Sequence, residues 1–355
     1  MTTRFFLGLA ASLLLLVPGC KDPGAGTAGS ALYTFDSTSS HVYIWTDMEK
    51  LYDSPASSPT YQISSSLFSQ VTNLAWGGVC FDTSRGILYL VSDTGSIVRV
   101  TSIRTQTGTV PNAQAVLYSL SSSGRLTSGV FGQACLDAQN DTLYITENGG
   151  GSTQIWAVPG ASGQVGGTTV GSPSLLVSGD SGGTGVAAAS GVVYAFMQNG
   201  SPVGIDAWTG PRLRKGTAAG FPLNGSQVII GTNTGLGLYG ALALDTGDGY
   251  LFVARHNTDS AGTAQPIQVF TTGQFSSGLN ATPYKTLGSA VSQPSLRVIS
   301  HPGTKDWLVG LSGEGTTGSN TIFLWKVPTG GTDAVTVTAP SGAVLKGVAV
   351  DGNAS

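Results

Sequence analysis

Apolar residues in this chain come in short runs closed by small polar turns, and the runs repeat. GVCFD (Gly78–Asp82), QACLD (Gln133–Asp137), GVAAAS (Gly185–Ser190), GALALD (Gly240–Asp245), LRVISH (Leu296–His301) and GVAVD (Gly347–Asp351) follow one another at intervals of 50 to 56 residues. Each of the first five leads into a second apolar run: ILYLV, TLYIT, VVYAF, GYLFV and WLVGL. In most copies a third run follows, SIVRV, TQIWAV, IQVF or TIFLWKV. These runs are β-branched and aromatic, and Gly, Asn, Asp and Ser bound them. None keeps a helical period beyond two turns, so they predict strands with helix essentially absent. A repeat of this length marks propeller blades.

The two ends complete the count. Gly347–Asp351 is a first strand with no second strand after it, because the chain stops at Ser355. At the other end, ALYTFD (Ala31–Asp36) is a second strand with no first strand before it, and HVYIW follows as a third. Pairing the two ends makes one blade from two halves and removes the open edges of a ring. The expected fold is an all-β, six-bladed propeller over residues 31–355, closed by its N- and C-terminal strands. An open array or a sandwich would not explain why the strand missing at one end is left over at the other.

Composition agrees with short strands and tight turns: 52 glycines, and only 10% of residues charged. A net charge of −3 with no basic stripe argues against nucleic acid as a partner. The first residues stand apart from the fold. Arg4 precedes an apolar stretch, Phe5–Val17, too short to span a membrane, and Val17-Pro18-Gly19-Cys20 closes it. This resembles the lipobox of bacterial lipoproteins, with proline before the glycine as a departure. The resemblance implies a signal peptide over residues 1–19 and a lipid on Cys20 that holds the protein to the membrane. Residues 20–30 then form a flexible tether rich in Gly and Ala. Lys21 follows the cysteine where aspartate would mark inner-membrane retention, so the outer membrane or cell surface is the expected location. Cys80 and Cys135 occupy the same position in successive repeats. They are expected to point the same way round the ring as two buried thiols, without a disulfide.

YLVSDTGSIVRV (Tyr89–Val100) resembles the strand–Asp-Thr-Gly–strand pattern of NHL-repeat propellers, and TLYITENGGGSTQIWAV is a looser copy. The pattern extends over nearly the whole mature chain and is weakest in VVYAFMQNGSPVGIDAW. Propellers of this kind serve as interaction platforms, lyases, lactonases and sugar-processing enzymes, and the fold alone does not choose among them.

Three motif matches carry little. Gly179-Asp180-Ser181-Gly182-Gly183 spells a protease nucleophile segment, yet no helix follows and His41 lies away from any matching motif. Gly235–Gly240 fits a dinucleotide fingerprint but runs into a strand, and Asp245 with Asp248 reads as hairpin chemistry. Position is more informative. In an antiparallel blade, the turn after the second strand shares a face with the beginning of the first. Asp36, Asp93, Glu147, Asn148, Asn199, His256, Asn257 and Glu314 fall in those turns, with Trp76, Phe131, Gln133, Tyr239 and Lys346 beside them. Converging polar groups among aromatics describe a ligand site, while Asp and Asn also favour tight turns for local reasons. Two functions follow: a binding module at the bacterial envelope with a protein or glycan partner, or a lactonase-like hydrolase or lyase. The second would hold a divalent cation through carboxylates such as Glu147 and Glu314. Trp45, Trp156, Phe270 and Trp325 in third strands are expected to pack between blades.

Overall fold

The computed structural model describes residues 29–354, apart from 57, 112–113, 179–184, 198–203, 210–225, 231–239, 247–248, 256–266, 272–273, 275–281, 289–294, 300–305, 312–319 and 328–333. Among the described residues the strands pair into six sheets, each with four antiparallel strands at its centre. The innermost strands are Leu345–Ala354, Leu74–Asp82, Val130–Asp137, Val186–Ala189, Gly240–Asp245 and Ser295–Ile299. They touch in that order and the last touches the first, so the sheets are blades around one axis. The chain is a β-propeller. Blades are numbered here from the one formed by the two chain ends.

Blade 1 is made as the two half-blades require. Gly29–Asp36 lies between the C-terminal strand Leu345–Ala354 and the strand His41–Thr46, antiparallel to both. Tyr33 opposes Ala349 and Asp36 opposes Leu345. The seam is reinforced where Thr34 Oγ1 donates to the Gly347 carbonyl at 2.8 Å and the Val344 amide donates to Asp36 Oδ1 at 2.8 Å.

The aspartates that close the innermost strands join blade to blade. Asp351, fully buried, accepts two hydrogen bonds from Arg104 of blade 2, at 2.7 and 2.8 Å. Asp82 holds the Ser84 and Arg85 amides, and Arg85 reaches on to the Ala138 carbonyl of blade 3. Asp137 accepts the Gly191 amide of blade 4 at 2.7 Å. Turn chemistry selects Asp at this position, and burial against the next blade gives it a second use.

Between the blades the core is apolar and aromatic. Trp45, Trp156, Phe270 and Trp325 are at most 1% exposed, as expected of third-strand aromatics, and Tyr33 stacks on Phe81 across blades 1 and 2. Replacing one of these tryptophans by alanine would cost roughly 3–5 kcal/mol through lost burial and the cavity left behind. Cys80 is buried and Cys135 half-buried, and neither is in a disulfide. Cys135 is thus more accessible than expected, although it packs against the apolar cluster between blades 3 and 4.

Two features had no counterpart in the expected pattern. Gly108–Thr109, from the blade 2 connection, adds a parallel fifth strand to the outer edge of blade 1. Thr169–Val170 does the same for blade 2 from blade 3. Each covers a sheet edge that would otherwise present unpaired backbone groups. Among the described residues the expected near-absence of helix holds apart from the six-residue helix Met48–Asp53, a helical position at Gln274 and short 3-10 turns. Asp47 caps that helix by accepting the Lys50 amide at 3.0 Å, and Met48 and Leu51 are buried under it.

Candidate functional site

The face where the innermost strands begin, called the start face here, collects the predicted turn residues. The structure places Asp36, Asp93, Glu147 and Asn148 there; Asn199, His256, Asn257 and Glu314 lie outside the described residues, as does Cys20.

Three of the four work for the fold. Asp36 accepts from the Thr38 and Ser39 amides, the Ser39 hydroxyl, the Tyr43 hydroxyl and the Val344 amide. Burial pushes its carboxyl up, but these hydrogen bonds outweigh that and hold it below the ordinary aspartate value. Asn148 Oδ1 accepts from the Thr153 hydroxyl at 2.6 Å across its own hairpin. Glu147 is fully buried. Its Oε1 accepts from Arg125 Nε at 3.0 Å, and its Oε2 accepts from Trp156 Nε1 at 2.7 Å and from the Gln154 amide. Arg125 also donates to the Thr94 and Gly129 carbonyls and lies 4.5 Å from the Phe131 ring centroid. Glu147 is thereby the centre of a polar knot binding blade 2 to blade 3, and a cation would have to displace one of three donors to reach it.

Asp93 differs. Its backbone is engaged, donating to the Asn73 carbonyl and accepting the Phe131 amide, but its buried Oδ1 has no hydrogen-bond partner. Burial pushes its carboxyl above the ordinary value, against the pull of Lys346, the Thr94 amide and Arg125. Among the described residues no group of three or more His, Cys, Asp or Glu converges on one point.

The centre of the ring holds the residue that sequence reasoning placed at the rim. The pairing of Val130–Asp137 with Thr142–Gly149 shifts between Ile145 and Glu147, which marks a bulge at Gly132 and Gln133. Bulges re-aim side chains, and Gln133 turns into the channel at 1% exposure. Its Nε2 donates to the Leu242 carbonyl at 2.8 Å, while its Oε1 accepts the Leu242 amide at 2.9 Å and the Val186 amide at 3.1 Å. One carboxamide from blade 3 thus ties the inner edges of blades 4 and 5. The innermost strands are edge strands, so these bonds satisfy backbone groups that have no ladder partner on that side.

Beyond Gln133 the channel widens into a cavity of about 170 Å³ towards the opposite end, where the innermost strands finish. Cys80, Phe81, Cys135, Leu136, Ala188 and Leu244 are among its lining, which carries no charged side chain. The cavity therefore lies at the end face, away from the predicted turns.

No family model matches the chain, and no curated protein matches it by sequence. Solved structures do. A chain of the nidogen/laminin complex aligns over 91% of this chain and 98% of its own length, with a TM-score of 0.56 and 13% identity. The dihydro-heme d1 dehydrogenase NirN in complex with DHE aligns over 88% of this chain and 64% of its own, with a TM-score of 0.41 and 13% identity. The major allergen Mala s 1 of Malassezia sympodialis aligns over 75% and 79%, at 0.46 and 13%. At this identity the likeness is one of fold. The bulge and Arg125 are the functional-site features that sequence reasoning missed; neither leaves a mark in the hydrophobic pattern.

Proposed function

We propose that the chain is an exported propeller of the NHL-repeat type, lipid-anchored through Cys20 at the bacterial outer membrane or cell surface, and that it works there as a binding module. What carries this reading is how the start-face side chains are used. Asp36, Glu147 and Asn148 are committed to turns and to a blade junction, whereas the ring keeps a concave, uncharged cavity bordered by strand edges. Hydrogen-bonding backbone among apolar side chains is equipment for recognition. Hydrolysis needs a nucleophile, a base and an orienting group at matched positions.

The thermal midpoint of the full chain in detergent tests this, measured with calcium, magnesium or zinc and then with EDTA. No shift is the expected result. A saturable rise reversed by EDTA would mean a cation bound to the folded state and would favour the hydrolase. The anchor has a separate test: Cys20→Ser is expected to move the protein from the membrane to the soluble fraction, and unchanged fractionation would sink that part.

A further inference from the structure

The molecule already shows what its channel accepts. Val186–Ala189 and Gly240–Asp245 nearly touch at their beginnings, where a Cβ on Gly185 would fall 2.5 Å from the Gly240 carbonyl oxygen. One step further in, a neutral carboxamide bridges them: Gln133 donates to Leu242 and accepts from Leu242 and Val186. In an antiparallel edge strand the N–H and C=O of alternate residues face the same side. Since Leu242 and Val186 face the channel, Leu244 and Ala188 face it too, two residues on. Both line the cavity. Both strands therefore present backbone N–H and C=O groups to the cavity one level nearer the end face.

We propose that this cavity is a carboxamide site, taking a neutral amide between Ala188 and Leu244 as Gln133 is taken between Val186 and Leu242. The inference deepens the binding-module reading and rests on it. Size suits a small group: about 170 Å³ is close to the roughly 150 Å³ cavity that takes up a benzene. The wall restricts it further. A lining without charged side chains leaves an ion without compensation on losing its water, so charged isosteres are disfavoured. Phe81, Leu136 and the two cysteines favour a small apolar group next to the amide. Two sources have this chemistry, a free small amide and the glutamine side chain of a partner protein.

Cys135 provides the readout, because it lines the cavity and is half-buried. The full chain is treated with methyl methanethiosulfonate, and modification of Cys135 is followed by peptide-resolved mass spectrometry, with added glutathione as internal reference for the reagent, since Cys80 lines the same cavity. Propionamide should slow Cys135 modification at least threefold and saturably, whereas propionate and 1-propanol at equal concentration should not. Ala188→Pro removes one channel-facing N–H without breaking a ladder bond, and should weaken propionamide protection tenfold. The unsubstituted protein with the three probes decides the matter should that variant not fold. Equal protection by propanol, or none by propionamide, overturns the site. A Gly-Gln-Gly peptide amide separates the sources: protection below that of propionamide means a free small amide, and stronger protection means a protein partner. Failure of every amide removes this site and leaves the binding-module reading to the metal titration, which does not involve the cavity.

Discussion

Glu147 decides between a structural and a chemical use of the start face. Its carboxylate is fully buried and accepts from Arg125, Trp156 and Gln154. Glu147→Ala leaves the Trp156 donor without its acceptor, Gln154 with the Gly124 carbonyl alone, and Arg125, about a quarter exposed, without its counter-charge. Breaking a buried charged pair in this way costs about 3–5 kcal/mol. Unfolding entropy scales with length, so for a chain of this size 1 kcal/mol corresponds to about 1.5 °C. The midpoint is then expected to fall by about 5–7 °C, and by roughly half that for Glu147→Gln, whose carbonyl still accepts from Trp156. Circular dichroism of the β-sheet signal against temperature is the assay, at neutral pH without metal. A carboxylate reserved for a cation gives the opposite sign, since removing it relieves an unpaired buried charge in the metal-free protein. A midpoint that stays within 2 °C of the parent, or rises, would refute the argument.

Three more outcomes can be measured in the same way. Asp36 has a folded carboxyl below its unfolded value; its stabilisation is present above the unfolded value and lost as pH falls through the folded one. The deficit of Asp36→Asn should therefore be full at pH 7 and close below about pH 4. Asp93 has the reverse sign. Its folded carboxyl is raised, so its contribution is present at acid pH and lost as pH rises through the folded value, and Asp93→Asn should gain on the parent at pH 7 and lose that gain near pH 4. Arg104→Ala, which strands the fully buried Asp351, should cost about 3 kcal/mol or more, while Arg85→Ala should cost about 1 kcal/mol or less because that guanidinium is 39% exposed. Similar losses at the two arginines would contradict the reading of buried Asp351 as the stronger junction.

Ring closure was legible in the sequence because an all-β repeat with half a blade at each end has one economical solution, and Tyr33 opposite Ala349 realises it. The turn use of Asp36 was legible for the same local reason that any Asp begins a turn. Glu147 was placed correctly on its face, but its partners were not foreseen. Trp156 reaches it across a hairpin, and Arg125 comes from a connection with no periodic pattern. Gln133 was expected at the rim because the strand was read as beginning there; the strand begins at Val130, and a bulge at Gly132 and Gln133 re-aims the side chain. The edge-covering strands Gly108–Thr109 and Thr169–Val170 are two residues long, too short to show a period. The end-face cavity depends on backbone edges, and edges carry no residue code.

The seam of blade 1 also sets a timetable. Thr34 bonds to Gly347 across 313 residues of sequence, so Gly29–Asp36 pairs on that side with a strand made long after it. Until Leu345–Ala354 is made, Gly29–Asp36 has a vacant hydrogen-bonding flank that strands of other nascent chains can fill. Truncation by even the final ten residues would leave a molecule with nearly all its parts and nothing to complete the circumference.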